Sequence, residues 1–346
     1  MYQNFCKYLG YGSKGYSLLN FKTKKTILIS GSKSNYKYLL LKLTKILKEK
    51  PSHLIIKDER YDLKHIDYLC KKIKKKKINT ILVLGGGSII DFSKRLILML
   101  KKTEKKINFF IFPSLIGSGA EISKTSIING KTKNFSINED YLPDGIIYDE
   151  NLVKSSNRIN LLMGILDSIT HCIESQTSIN KNHYLNFLCN QTLTYFIKEN
   201  SFNSLTKSKK LNFLDFCTLS FNGGLAQSNS GSGICHALSH ACEEILGIRH
   251  AECISYFIIP VLKYLIIKNK KDLKDFDDKI FRYTFRISKF IKKNHNYNKI
   301  DKMIASELSI NSLINKSKSD ICWRLYKNNI DEKLLIQCLK NENYKR

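Results

Sequence analysis

The first 150 residues alternate short apolar runs with segments of helical spacing, and this alternation restricts the folds open to the chain. The apolar runs read TILIS (26–30), SHLIIKD and NTILVL (79–84), and the segments NYKYLLLKLTKILKEK and DLKHIDYLCKKIKKKK separate them. Strands that alternate with helices in this way pair in parallel, with helices on both faces of the sheet. NFFIFPS (108–114) and GIIYD (145–149) supply two more strands. The sequence therefore predicts an α/β domain built on a parallel sheet.

The character of the sequence changes near residue 155. Strand signals fade, and later segments such as NLLMGILDSITHCIES and AECISYFIIPVLKYLII show the apolar spacing of helices. A chain of 346 residues is also longer than a single core usually serves. We therefore expect an α/β domain over residues 1–155 and an all-helical domain over residues 156–346, with only weak helical patterns from residue 266 onward.

The net charge of +28 suggests a nucleic-acid partner, because clustered basic side chains follow lines of phosphates. Only eight of the 58 basic residues are arginines, however, and the abundance of Lys, Ile and Asn is typical of AT-rich coding. The basic run at residues 74–77 ends a predicted helix, where lysines favour the helix dipole, and no aromatic residue is interleaved with it. Lysines on a solvated surface are the favoured interpretation, and a nucleic-acid-binding protein is the alternative.

The cysteines and the N-terminus indicate a cellular compartment. Ten cysteines include no C-x-x-C pair, in a chain much larger than a disulfide-stapled secreted domain. The first residues lack a charged segment followed by a continuous apolar one, and no run of about 18 apolar residues occurs. We expect reduced thiols, a cytoplasmic location and no membrane segment.

A glycine turn follows the strand NTILVL: Gly85, Gly86, Gly87 and Ser88 lead into the helical segment IIDFSKRLILML. Such a turn lets backbone amides approach a phosphate, and the helix N-terminus adds partial positive charge. Asp91, in the first turn, is placed to satisfy free amides there. Alone the motif is weak, because three glycines can simply make the turn.

A second glycine loop, PSLIGSGAEIS (113–123), follows the next strand. Loops at the ends of adjacent parallel strands would clamp the phosphates and ribose of a dinucleotide. The pair is more specific than either loop alone and predicts that the α/β domain binds a dinucleotide.

The helical domain contains clustered histidines. Two pairs have a spacing of four, which puts both side chains of a pair on one helix face: Asp167 with His171, and His236 with His240. Gly247 would end the second helix and let His250 turn back toward it. A carboxylate with three neutral imidazoles is a plausible ligand set for a divalent transition metal and leaves room for a substrate. Histidines bonded within the core or facing solvent are the alternative, but two such motifs together favour a metal.

These motifs resemble those of the iron-dependent (group III) alcohol dehydrogenases, a family that shares its fold with dehydroquinate synthase. GGGSIIDFSK (85–94) matches the family's GGGSxxDxxK, and PSLIGSGAE (113–121) matches PTTxGTGSE. LPDGIIYDENL (142–152) matches LPxxxxxDPxL, with Glu150 in place of Pro. The resemblance spans roughly residues 20–265. It implies a Rossmann-like nucleotide domain followed by a helical domain for metal and substrate.

For the cofactor, the resemblance implies that NAD(P) binds to the α/β domain. Gly86, Gly87 and Ser88 would hold the pyrophosphate. Four further residues would line the path of the adenosine and nicotinamide: Ser114, Leu115, Ser118 and Lys133. Ser114 and Leu115 stand where the family has two threonines. Members that prefer NAD often have an Asp after the first strand, so the Gly31-Ser32-Lys33 found here favours NADP(H) or tolerates it.

For the metal, the family uses Asp-x-x-x-His on one helix and the first and third histidines of H-x-x-x-H-x₉-H. The matching ligands here are Asp167, His171, His236 and His250. His240 corresponds to a histidine near the nicotinamide and substrate, and Ala251 stands where the family usually has Gly. The resemblance implies Fe²⁺ or Zn²⁺ that polarises a substrate hydroxyl while hydride passes to the nicotinamide, with His240 relaying the proton.

The substrate is narrowed by resemblance within the family. The segments HCIES and GICHALSHACEEILGIRHAECIS look most like the branch containing 3-deoxy-manno-octulosonate 8-oxidase, and a second similar branch reduces phosphonoacetaldehyde. Both handle anions, so we expect a small anionic alcohol or aldehyde. A dehydroquinate synthase-like sugar-phosphate cyclase is the alternative enzyme, although such enzymes usually bind their metal through a Glu and two His. A homodimer is expected by analogy alone.

Overall fold

The computed structural model describes residues 6–19, 25–31, 35–56, 63–102, 107–128, 134–153, 157–207, 212–269, 273 and 278–340. The chain divides into two compact units, residues 1–157 and residues 158–346. The boundary expected at residue 155 falls outside the described residues.

Strands and helices alternate in the first unit. Its described strands are β1 (Tyr8–Tyr11), β2 (Thr26–Gly31), β3 (Ser52–Ile56), β4 (Thr80–Gly85), β5 (Asn108–Pro113), β6 (Thr125–Ile128), β7 (Asn134–Ile137) and β8 (Gly145–Tyr148). Its described helices are α1 (Gly12–Gly15), α2 (Tyr36–Leu47), α3 (Leu63–Lys75), α4 (Gly87–Lys101) and α5 (Glu150–Val153), with 3₁₀ turns at Tyr16–Leu19 and Glu139–Tyr141.

Six of these strands form one parallel sheet in the order β1-β8-β5-β4-β2-β3. Successive side chains of a strand point to opposite faces, so each strand contributes to two cores. Ile81 and Val83 of β4 pack with residues of α3 and α4, whereas Leu82 and Leu84 belong to the cluster that contains Leu39 of α2. The predicted parallel α/β fold is confirmed.

Strands β6 and β7 form a separate antiparallel pair, with Thr125 opposite Ile137. A turn was expected between them at NGKTKN, and residues 129–133 of that turn lie outside the described part of the chain.

The second unit is helical throughout its described residues, apart from an isolated bridge between Ser178 and Tyr326. Its helices are α6 (Arg158–Glu174), α7 (His183–Glu199), α8 (Phe202–Lys207), α9 (Phe213–Ser230), α10 (Ile234–Leu246), α11 (His250–Asn269), α12 (Asp278–Asn294), α13 (Asn298–Ala305), α14 (Glu307–Lys318), α15 (Ile321–Leu325) and α16 (Glu332–Lys340). Every residue of α6 from Leu161 to Glu174 is buried, so this helix lies in the core of the unit. The predicted all-helical second domain is confirmed.

Helix α11 is long and apolar enough over His250–Lys268 to cross a membrane, by length and composition alone. It is the one such helix among the described residues, and 56% of that stretch is buried inside the protein. The core helix of a globular unit has the same properties, so α11 is weak support for a membrane span.

Candidate functional site

Helix α6 brings two predicted ligands into the core of the second unit. Asp167 and His171 are each 3% exposed, and their spacing of four places them on one face of the helix. His236, on α10, is equally buried at 2%. Asp167 Oδ1 lies 3.6 Å from His171 Nε2 and 3.4 Å from His236 Nε2. One ligand atom from each of the three residues lies within 4.8 Å of the others, close enough for the three to hold one metal ion.

His250 joins this group from the next helix. Helix α10 ends at Leu246, and Gly247 adopts the left-handed conformation (φ 63°) that lets the chain reverse, as its position in the sequence predicted. His250 then begins α11. Its ring lies 5.5 Å from that of His236 and stacks on that of His240 at 4.9 Å, while its Nδ1 is 3.6 Å from Glu243. The structure therefore brings all five predicted residues of the metal half together.

Opposing charge effects set the protonation of the cluster. Burial raises the pKa of Asp167, but the neighbouring imidazoles outweigh burial and bring that pKa to about 2. Burial lowers the pKa of His171 to about 3, so its imidazole is neutral and able to bind a cation. Burial also lowers the pKa of His236, yet contacts with Asp167 and Glu174 outweigh it and raise the pKa to about 9. The carboxylates thus attract positive charge, either a proton or a metal ion, to His236.

The donor set fits a divalent transition metal. Asp167 Oδ1 and His236 Nε2 are buried and face each other at 3.4 Å, and neither forms a well-aligned hydrogen bond with any described group. A buried carboxylate oxygen and a buried imidazole nitrogen without partners are costly unless a further group satisfies them. A mixture of carboxylate and imidazole suits Fe²⁺ and Zn²⁺.

Two acidic residues that the sequence analysis did not single out also contact the histidines. Glu174 Oε2 accepts a hydrogen bond from His236 Nδ1 at 2.7 Å, and Asp320 Oδ2 lies 2.9 Å from His240 Nδ1. Glu174 follows His171 by three residues on α6, so the D-x-x-x-H-x-x-E pattern carried a usable signal for it. Asp320 lies in the weakly patterned C-terminal region, and only its N-cap position before α15 is visible in the sequence.

In the first unit, the two glycine loops meet at the ends of adjacent strands. Gly85 closes β4 opposite Pro113 of β5, and the Ser114 amide donates to the Gly85 carbonyl. Gly86 caps α4, where a Cβ atom would come within 2.9 Å of Leu115 Cδ1. The two loops are therefore packed against each other at the ends of β4 and β5.

Ser118, in the second glycine loop, lies next to the start of α4. Ser88 lies in the first turn of that helix. A Cβ atom on Gly87 would come within 3.3 Å of Ser118 Oγ. A side chain at Gly86 or Gly87 would therefore meet residues of the second glycine loop. The assignment of these residues to the pyrophosphate stays a prediction.

Asp91 makes contacts different from the expected ones. Its carboxylate accepts from the Ile127 amide at 3.1 Å and from Lys94 Nζ at 3.2 Å, and the first turn of α4 contains no acidic residue. The interpretation that it satisfies amides in the first turn was wrong, because the fully buried Lys94 and the Ile127 amide of β6 bind the carboxylate instead. Asp91 therefore connects α4 to β6 through a hydrogen bond. Its contact with a cofactor stays a prediction.

Four positions considered for nucleotide binding have limited structural descriptions. Gly31 is the last residue of β2. Ser32, Lys33 and Lys133 lie outside the described residues, so their assignments stay predictions.

The first unit is a parallel α/β unit with paired glycine loops, and the second is a helical unit with a buried carboxylate and convergent imidazoles. These are the features expected of a class of two-unit enzymes that bind a nucleotide and a metal. Comparison with known families identifies the class. The family model for iron-containing alcohol dehydrogenase matches residues 12–150, and the model for the C-terminal part of the Fe-containing alcohol dehydrogenase family matches residues 161–316. The chain belongs to the iron-containing alcohol dehydrogenase family.

Individual relatives are distant. The chain is similar to 4-hydroxybutyrate dehydrogenase of Clostridium kluyveri, with 25% identity over 225 residues that cover 59% of each chain. It is similar to NADP-dependent alcohol dehydrogenase 3 of Entamoeba histolytica, with 23% identity over 61% of this chain and 62% of that one. These matches therefore span about three fifths of the relatives' length.

Solved structures support the fold over nearly the whole chain. A 1,3-propanediol oxidoreductase superposes with a TM-score of 0.82 at 16% identity, covering 98% of this chain and 99% of the other. Sulfoacetaldehyde reductase from Bifidobacterium kashiwanohense in complex with NAD⁺ superposes with a TM-score of 0.81 at 15% identity, covering 99% of each chain.

Proposed function

We propose that this chain is a metal-dependent, NAD(P)-linked alcohol dehydrogenase that transfers hydride between nicotinamide and a small anionic alcohol or aldehyde. The observation that carries the proposal is the buried trio of Asp167, His171 and His236, whose facing atoms lie within 4.8 Å of each other. Buried polar atoms that lack hydrogen-bond partners are costly, and a bound cation would satisfy them.

The metal ligands would be Asp167, His171, His236 and His250, with Fe²⁺ or Zn²⁺ as the ion. When bound, the ion would supply Lewis-acid polarisation of the substrate oxygen. Asp167 brings a full negative charge to the site, since its pKa of about 2 keeps it ionised at neutral pH.

His240 would take up the proton of the alcohol. Its Nδ1 faces Asp320 Oδ2 at 2.9 Å, and this carboxylate would favour the positively charged ring once the proton arrives. Stacking on His250 at 4.9 Å places it directly beside the proposed ligands.

The nucleotide would bind to the first unit. Amides at Gly86, Gly87 and Ser88, at the N-terminus of α4, would hold the pyrophosphate, and the second loop would line the adenosine and nicotinamide path. Relatives that are named for NADP and for a complex with NAD⁺ support a dinucleotide in general. The choice between the two rests on Gly31-Ser32-Lys33, where no Asp follows β2 to oppose a 2′-phosphate.

Two observations support an anionic substrate: the names of relatives and the net charge of the chain. The names 4-hydroxybutyrate dehydrogenase and sulfoacetaldehyde reductase both describe substrates that carry an acidic group. The net charge of +28 favours the approach of anions. Within this class, a sugar acid such as 3-deoxy-octulosonate or phosphonoacetaldehyde is the finer proposal.

The test is a substrate screen on the full chain, loaded anaerobically with Fe²⁺ and supplied with NADH or NADPH. Aldehydes with a carboxylate, sulfonate or phosphonate group are compared with neutral aldehydes of the same length. We expect nucleotide oxidation with a higher kcat/KM for the anionic members. Absence of turnover with every aldehyde, and with the matching alcohols and NAD(P)⁺, would refute the proposal.

A further inference from the structure

Glu174 is a buried carboxylate that touches both a proposed ligand and a helix end. It is 1% exposed at the C-terminal end of α6. Its Oε2 accepts from the Gly233 amide at 2.8 Å and from His236 Nδ1 at 2.7 Å, and its Oε1 accepts from the Cys235 amide. Three donors and a single carboxylate therefore meet at the point where α10 begins.

The contacts with Gly233 and Cys235 serve the N-terminus of α10. Gly233 is the N-cap of that helix and offers no side chain to bond the free amides. Glu174 supplies the missing acceptor from another helix, and its negative charge is favourable at the positive end of α10. The start of α10 is thereby fixed to α6, the helix that carries Asp167 and His171.

The contact with His236 sets which nitrogen of the ring carries a proton. A carboxylate only accepts, so His236 Nδ1 must donate and the proton stays there. In the neutral ring the lone pair then lies on Nε2, the atom 3.4 Å from Asp167 Oδ1. Carboxylates that hold a ligand histidine in this way fix the ring and increase its basicity as a ligand.

We infer that Glu174 is a positioning residue for the metal site: it holds the His236 ring with Nε2 toward Asp167 and fixes α10 against α6. The inference rests on the metal site of the proposed function. Gln at this position has one acceptor oxygen, so it cannot serve all three donors. Either the His236 ring loses its hydrogen-bond partner, or Nδ1 accepts from the Gln side-chain amide. In the second case the ring proton lies on Nε2 and blocks that atom from binding a metal.

The experiment measures Zn²⁺ affinity of the metal-stripped full chain by competition with a chromophoric chelator, a readout that is independent of catalysis. For Glu174→Gln we expect the Kd for Zn²⁺ to rise by about 10–100-fold, the range found when such supporting carboxylates are lost. Asn182→Ala is the matched control. Asn182 caps α7 through the Tyr184 and Leu185 amides, so its loss removes a helix cap of the same unit without touching His236.

A second variant acts on the carboxylate without removing it, in case Glu174→Gln does not fold. A Cβ atom on Gly233 would lie 3.1 Å from Glu174 Oε1, so Gly233→Ala should displace the carboxylate by a few tenths of an ångström. We expect a several-fold rise in the Kd for Zn²⁺, with Asn182→Ala within about twofold of the wild type. Folded Glu174→Gln protein with wild-type Zn²⁺ affinity, or an equal loss in Asn182→Ala, would overturn the positioning role. A wild-type chain that binds no Zn²⁺ or Fe²⁺ would overturn the metal site itself, a distinct result.

Discussion

The site residues of the second unit have two proposed roles: some would bind the metal, and His240 would carry a proton. Asp167, His171 and His236 have facing atoms within 4.8 Å, whereas His240 turns one nitrogen to Asp320. A ligand and a proton carrier should therefore respond differently to the same substitution.

His236→Ala should abolish retention of metal, because it removes the imidazole of α10 that faces Asp167 Oδ1 at 3.4 Å. His240→Ala should keep the metal and lower kcat by about 10²–10⁴, the usual contribution of a proton-transfer group. Metal content by mass spectrometry and steady-state rates measure the two effects. Full metal occupancy in folded His236→Ala protein would contradict the ligand assignment.

In the first unit, Asp149 forms a buried polar cluster after β8. Tyr16, Tyr38 and Lys42 donate to its Oδ2, and the Asn151 amide donates to Oδ1. Burial raises the pKa of Asp149, but these donors outweigh it and hold the pKa below the ordinary value of 3.8. A lowered carboxylate pKa stabilises the fold above the unfolded-state value, and that stabilisation is lost as the pH falls through the folded-state value.

We therefore expect the free energy of unfolding to fall as the pH is lowered below about 4. Asp149→Asn should cost about 2 kcal/mol at pH 7 through the lost charged bonds, and should flatten this part of the pH dependence. Asp140→Asn is the control, because that carboxyl is 57% exposed and its ion pair with Lys101 is worth under about 1 kcal/mol. Urea unfolding at pH 7 and at pH 3.5 provides the measurement, and identical pH profiles for Asp149→Asn and wild type would count against the cluster.

Among the elements, helix α9 crosses and supports α6, the helix that carries Asp167 and His171. A Cβ atom on Gly223 of α9 would lie 2.9 Å from the Ser168 carbonyl oxygen, which follows Asp167 directly. Because backbone cannot move aside as a flexible side chain does, the two helices approach this closely only with glycine at the crossing.

Gly223→Ala should force the helices apart and lower the free energy of unfolding by about 1–3 kcal/mol, with weaker Zn²⁺ binding because Asp167 and His171 move with α6. Ala226→Gly, on the same helix and also buried, is the matched control: it should destabilise by about 1 kcal/mol through helix propensity but leave Zn²⁺ affinity unchanged. Chemical denaturation and Zn²⁺ titration distinguish the two. Equal Zn²⁺ affinities for both variants would show that the crossing does not position the site.

The elements also show what the sequence could predict. The spacing of Asp167 and His171 translates directly into one helix face, because helix geometry is local. Contacts of Glu174 and Asp320 with the histidines span 62 and 80 residues, and no local pattern specifies such pairings. The local amide contacts expected for Asp91 were wrong for the same reason, since its partner Ile127 lies 36 residues away in β6.

For the whole molecule, the net charge of +28 is the property most open to measurement. A strongly basic protein attracts anions from a distance, and salt weakens this attraction. At physiological ionic strength the attraction is screened beyond a Debye length of about 8 Å. We expect kcat/KM for an anionic aldehyde to fall several-fold between low and high salt, while that for a neutral aldehyde of the same length changes little. An equal fall in kcat/KM for both aldehydes would show that salt acts on the protein itself and not on the electrostatic attraction of the substrate.

The most direct test of the central claim is an activity titration. Metal-stripped full chain is reconstituted anaerobically with increasing Fe²⁺ while NAD(P)H oxidation is followed with an anionic aldehyde. The account predicts that the rate rises linearly and reaches a plateau at one metal per chain, and that His171→Ala protein stays inactive throughout. Full activity of the metal-stripped chain, or a rate that does not depend on added metal, would contradict it.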